Sequence, residues 1–256
     1  MAKVRIPKVP KREFGLLLLL VAGVIALLLR LSMRIVSRGH EQIPRTGPYV
    51  LVGNHLSYLD PLAVAYVLLL RSRRAPHFLA KESLFRVPLL GWLLPRVGQI
   101  PVYRLGGSNE EPLRAARALL QANHGLLIFP EGTLTRDPNL WPMRGKPGAV
   151  RLAIESGAPI FPVAHWGVER ILGNYSKRFR PGLWKRVEVV VGPEIDISEF
   201  RGRELTSEDL AAATEKVMRT IASMVGDLRG EQPPAKLWDP AERGQAIVGN
   251  FRKRGG

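Results

Sequence analysis

The chain contains no cysteine. That excludes disulfides, thiolate metal sites and a cysteine nucleophile. Histidine is scarce, five in 256 residues, and no two stand at a metal-binding spacing, which argues against a zinc site. No Gly-x-Ser-x-Gly stretch occurs, which argues against a serine hydrolase built on a nucleophile elbow. There are no internal repeats. Acidic residues are few beside basic ones: 22 Asp and Glu against 38 Lys and Arg leave a net charge of +16.

Such a charge draws the chain to anionic surfaces: nucleic acid, acidic lipid headgroups or phosphorylated substrates. A recognition helix, a zinc module and an aromatic RNA-binding signature are all missing, so no nucleic-acid partner is expected, although a non-enzymatic binder of acidic surfaces, suggested by the charge alone, stays open as an alternative. Residues 1–13 form a basic tail with Lys3, Arg5, Lys8, Lys11 and Arg12. An apolar run follows from Phe14 to Leu29, shorter than the ~20 residues of an average bilayer span. Continued through Val36 it gains length and also Arg30 and Arg34. Three readings compete: a secretory signal, which lacks a small-x-small cleavage site; a tilted transmembrane anchor; or a helix lodged in one leaflet. In the last, Arg30, Arg34 and Arg38 snorkel to phosphates. The favoured expectation is a membrane-associated helix over 14–38, both ends on the cytoplasmic side.

Beyond it, apolar runs of strand length alternate with helical patterns. The pattern predicts strands near 49–53, 76–80, 98–102, 125–129, 159–164 and 186–192, and helices near 61–71, 84–94, 110–122, 146–157 and 207–228. This is an α/β alternation: a mixed, largely parallel sheet flanked by helices, spanning 39–229. Residues 230–256 lose periodicity and read as a loosely ordered basic tail. In such sheets ligands sit at the carboxyl ends of strands, and the notable motifs fall there.

The first motif is Asn54-His55-Leu56-Ser57-Tyr58-Leu59-Asp60, between a buried strand and a helix opening on Pro61. A strand–loop–helix junction lets His55 and Asp60 meet, and a histidine held by a carboxylate is what a general base requires. The plain alternative makes Asp60 a helix N-cap and His55 a loop histidine. The second is Pro101-Val102-Tyr103-Arg104, a strand ending in an arginine that is either an anion fork or solvated. The third is Phe129-Pro130-Glu131-Gly132-Thr133, a turn whose glycine lets backbone approach a ligand, or an ordinary strand end. Lys146 precedes a helix and can meet an anion, or belongs to a basic turn. Pro159-Ile160-Phe161-Pro162-Val163 reads as site wall, and His165 as a satisfied edge histidine.

These four motifs in this order, from about Tyr49 to Val163, resemble the glycerolipid acyltransferase family of the 1-acylglycerol-3-phosphate O-acyltransferase type. The resemblance implies His55 as base and Asp60 as its orienter. It implies Asn54, Lys81, Arg104, Glu131, Gly132 and Thr133 around the substrates, with backbone near Ala80-Lys81-Glu82 facing the oxyanion. Many members continue Glu-Gly-Thr with Arg-Ser; here Leu134-Thr135 follows, so Arg136, Arg144 or Lys146 would serve a phosphate instead, or the headgroup differs. The implied reaction moves an acyl group from acyl-coenzyme A or acyl carrier protein to a lysophospholipid, without metal or redox cofactor, at the cytoplasmic side of a membrane with anionic lipids. A hydrolase giving the acyl group to water stays open as an alternative. The segment 84–94 reads equally as acyl tunnel or as packing.

Overall fold

The computed structural model describes residues 14–102 and 110–245. Its helices are α1 (Leu16–Ser32), α2 (Asp60–Val67), α3 (Pro88–Arg96), α4 (Glu110–Gln121), α5 (Gly148–Ser156) and α6 (Ser207–Arg229). Its strands are β1 (Arg34–Arg38), β2 (Tyr49–Gly53), β3 (Leu79–Lys81), β4 (Ile100–Val102), β5 (Gly125–Ile128), β6 (Ile160–Trp166) and β7 (Arg186–Val191).

Five strands form one sheet in the order β1-β7-β6-β2-β5. A bridge between Phe78 and Leu127 joins this sheet to the parallel pair β3-β4. Only β6 and β7 run antiparallel among the described pairings, so the sheet is mixed and mostly parallel.

β2 shows why a parallel strand reads as an unbroken apolar run: both its faces are covered. Val50 and Val52 turn toward the layer of α4, α5 and α6, packing with Ala116, Leu119, Val150, Val217 and Ile221. Tyr49 and Leu51 turn the other way, toward Leu29 and Met33 of the N-terminal segment and Ala63, Val64 and Val67 of α2. The sheet thus lies between two helical layers. α6 is fixed at its start by a reciprocal capping box between Thr206 and Asp209, and at its end by Gly230 in the left-handed region.

Two expected boundaries are corrected. The helix expected over 14–38 stops at Ser32, and Arg34–Arg38 is a strand paired in parallel with β7. An apolar run rich in leucine hid a short Ile-Val strand attached to its end. α1 packs Leu18 and Leu29 inward, while Leu16, Leu19, Leu20, Val24, Leu27, Leu28 and Leu31 stay exposed. No described helix is long and apolar enough to cross a membrane. The tail expected to be loose from residue 230 instead packs down as far as it is described. Leu237 enters the main core, and Trp238 accepts from the Arg144 amide at 2.9 Å. Residues 1–13 and 246–256, the two basic ends, lie outside the described residues.

Candidate active site

The register of the sheet sets the site's floor. β2 lies between β5 and β6, so Asn54 and His55 leave the sheet level with Pro130 and with the last residues of β6. The Phe78–Leu127 bridge puts Lys81 in the same row. One carboxyl edge therefore gathers the ends of β2, β3, β5 and β6.

From β2 the chain turns through Leu56–Leu59 into α2. Asp60 is the first residue of that helix, yet it does not cap it. Its Oδ2 turns back to accept from the Leu56 and Ser57 amides at 2.5 and 2.7 Å, and lies 3.0 Å from His55 Nδ1. The N-cap alternative for Asp60 is thereby excluded. The carboxylate is fully buried. Burial pushes its pKa up to about 6, against the lowering influence of His165 and of the two amide bonds. The His55 ring stacks on Phe129 with centroids 4.4 Å apart, and the residue is 8% exposed. Asp60 and Phe129 together fix the ring's plane and direct Nδ1 at the carboxylate.

Glu131 works from behind. Its Oε1 accepts from the His55 amide at 2.9 Å and its Oε2 from the Met143 amide at 3.3 Å. Burial pushes this carboxyl well above the usual range, opposed by the two amide bonds. The Thr135 amide donates to the His55 carbonyl at 2.7 Å. Both backbone groups of His55 are thus tied to the loop after β5. Glu131 is expected among the substrate-binding residues; in the structure both its oxygens accept from backbone amides.

Asn54 and Thr133 are committed similarly. The Asn54 side chain continues the β2–β6 ladder, accepting from the His165 amide and donating to the His165 carbonyl, both at 3.0 Å. The Thr133 hydroxyl lies 3.1 Å from the Tyr175 hydroxyl, which donates to the Leu134 carbonyl. Arg136 is 2% exposed. Arg144 is drawn to Asp239 at 2.7 Å, away from the pair. Gly132, at φ +69°, carries the Lys146 side chain across it: a β-carbon there would stand 3.2 Å from Nζ. Lys146 and Lys81 are the exposed cations that the described residues place on this edge among those expected. Arg104 lies outside the described residues, two positions beyond the end of β4.

Three features escaped the sequence. Asn174 donates to the carbonyls of Leu56 and Thr135, stitching the two site loops together. His165 is no edge residue: it is fully buried on an inner strand, with Nε2 2.7 Å from the Asn54 carbonyl and 3.7 Å from Asp60 Oδ2. Burial lowers its pKa, against the raising pull of the Asp60 charge. Arg229, at the end of α6, lies between Trp141 and Trp166, its guanidinium carbon 4.1 and 4.6 Å from their ring centroids. A lone Asn-Tyr in an irregular stretch and two tryptophans distant in sequence leave no local pattern to read.

Fold and geometry together define an α/β protein with a carboxylate-held histidine at the carboxyl edge of its sheet. The model of the Acyltransferase family matches residues 34–166, from β1 to the end of β6, and the chain belongs to that family. It is 30% identical over 189 residues to the 1-acyl-sn-glycerol-3-phosphate acyltransferase of Borreliella burgdorferi, covering 69% of this chain and 68% of that one. It is 29% identical to the alpha form of that enzyme in Mus musculus, over 77% of this chain and 65% of that one. A chloroplastic relative from Brassica napus is 30% identical over 55% of this chain, which spans only 39% of that relative's length. The crystal structure of the 1-acyl-sn-glycerophosphate acyltransferase of Thermotoga maritima shares the fold, with a TM-score of 0.63 and 23% identity over 84% of this chain and 81% of that one.

Proposed function

We propose that this chain transfers a fatty acyl group from a thioester, of coenzyme A or acyl carrier protein, to the free hydroxyl of 1-acylglycerol-3-phosphate, giving phosphatidic acid at the cytoplasmic face of a membrane. The observation that carries the reading is the 3.0 Å approach of His55 Nδ1 to a buried Asp60. With Nδ1–H donating to Asp60, Nε2 is the nitrogen that takes a proton. It removes the acceptor's hydroxyl proton as that oxygen attacks the thioester carbonyl. The new C–O bond forms, the C–S bond breaks, and the proton passes from His55 to the departing thiolate. A backbone N–H near Ala80-Lys81-Glu82 meets the oxyanion, an interaction typically worth about 3 kcal/mol per donor. The acceptor phosphate is met by Lys146 over Gly132, and by Arg104.

The names of the relatives in the bacterium and the mouse support this acceptor. Purified protein is incubated with radiolabelled acyl-coenzyme A and a panel of acceptors: glycerol-3-phosphate, lysophosphatidic acid and lysophospholipids with larger headgroups. The expected label lies in phosphatidic acid. His55→Ala, still folded and membrane-bound, should lower its formation by about 10²–10⁴-fold, the range of general-base catalysis. Label only in free fatty acid, or full activity without His55, would overturn the reading.

A further inference from the structure

We propose that the loop Lys177–Lys185 is a second membrane-inserting element, with Trp184, Leu183 and Phe179 entering an anionic lipid surface beside α1. The inference extends the membrane reading above and does not depend on the reaction. Trp184 is 81% exposed, Leu183 58% and Phe179 53%. Large apolar side chains displayed together mark interaction surfaces.

The display is built. Gly182 donates from its amide to the Ser32 carbonyl at 2.8 Å, and the Lys185 carbonyl accepts from the Arg34 amide at 2.9 Å. The Lys185 amide donates back to the Gly182 carbonyl at 2.9 Å, closing a turn with Leu183 and Trp184 at its tip. The Lys185 ammonium donates to the carbonyls of Arg170 and Arg180, at 2.9 and 2.6 Å. A bridge between Leu172 and Phe179 closes the other side. The loop is therefore pinned to the end of α1, a helix on which Leu27, Leu28 and Leu31 also stand exposed.

Charge selects the partner. Arg186 is paired with Glu188 at 2.8 Å and Lys185 is held by carbonyls, so the collar is Lys177, Arg178 and Arg180, all exposed, with no acid from Lys177 to Arg186. A protein partner would match an apolar tip with an apolar pocket and would not call for this basic collar. An anionic bilayer takes both: an indole prefers the headgroup level, and lysine and arginine meet lipid phosphates. The loop joins β6 to β7 at the same sheet edge as His55, so insertion would bring that edge toward lipid.

The test uses the full chain and vesicles of phosphatidylcholine and phosphatidylglycerol, some with dibrominated acyl chains. Wild-type tryptophan emission should be quenched on binding, and Trp184→Phe should remove the largest quenched component. Trp184→Ala with Phe179→Ala should lower the vesicle partition coefficient about tenfold, since binding scales with buried apolar area. Circular dichroism should be unchanged, both side chains being exposed. Vesicle-bound protein with Trp184 unquenched and an unchanged partition coefficient would overturn the inference while leaving α1 as the anchor. Failure of the wild type to bind vesicles would overturn both. Binding is read without turnover, so a failed acyltransferase assay leaves this result intact.

Discussion

At the scale of single residues, the site rests on charge held where water cannot reach it. Asp60 is fully buried with its pKa pushed up to about 6. A raised carboxyl pKa means the folded state holds its proton more tightly than the unfolded chain. The stability tied to that proton is complete below the ordinary value of 3.8, and is lost as pH rises through about 6. Above pH 6 the fold carries the ion at a cost of about 3 kcal/mol, from a shift of roughly two units. Asp60→Asn should therefore melt higher than the wild type at pH 8, with the gap closing between pH 6 and 4, while transfer is lost. Thermal melts from pH 4 to 8 beside an activity assay check both arms. An asparagine that destabilised at pH 8 would mean that Oδ2 stabilises the loop more than its charge costs. Glu131 poses the same tension one residue layer behind, since burial also holds its carboxyl well above the usual range.

At the scale of elements, α6 carries more than its position suggests. Its last residue places a guanidinium between Trp141, on the loop after β5, and Trp166, at the end of β6. Its Nη1 also donates to the Asn139 carbonyl at 2.8 Å. Arg229→Ala should cost about 2 kcal/mol, the upper range for a desolvated cation–π contact. It should also lower turnover, because both tryptophans stand on segments that hold His55 and Asn54. Denaturant midpoints and kcat measured on one preparation would show the two losses together; a stability loss with unchanged kcat would confine Arg229 to packing. Much of this layer was legible. β2 falls on its expected residues, β5 and α6 within one, because apolar runs bounded by turns and a Thr-x-x-Asp cap are local signals. β1 was not legible, since Arg34–Arg38 becomes a strand only through pairing with β7, more than a hundred residues away. Within the site, the spacing of His55 and Asp60 leaves a pair and an N-cap beside a loop histidine both open, and only the order of the four motifs favours the pair. The commitments of Asn54, Glu131 and Thr133 to backbone and to Tyr175 could not be read, because their partners His165, His55 and Tyr175 lie far off in the sequence.

At the scale of the whole molecule, removal of residues 1–38 does not simply detach an anchor. It also deletes β1, leaving β7 as a bare edge, and the truncated chain is expected to aggregate. Changing Leu20, Leu27 and Leu31 to Gln is the cleaner cut, since each is exposed on α1. That variant should keep its melting temperature within a few degrees, as exposed substitutions do at about 0.5 kcal/mol, and should leave vesicles. Sedimentation and melting curves decide it; a variant that stays fully bound would move the main attachment to the Trp184 loop or the basic ends.

Met33 alone separates α1 from β1. It is 2% exposed, its amide is bonded to the Leu29 carbonyl, and the next amide is bonded to the Lys185 carbonyl. Such a joint has no swivel. On the membrane reading proposed above, the catalytic domain cannot tumble apart from the helix that holds it, and whatever tilt the helix adopts is handed to the sheet and to His55. Encounter with a lipid then becomes a lateral search in two dimensions, with the enzyme's pose chosen before the search begins.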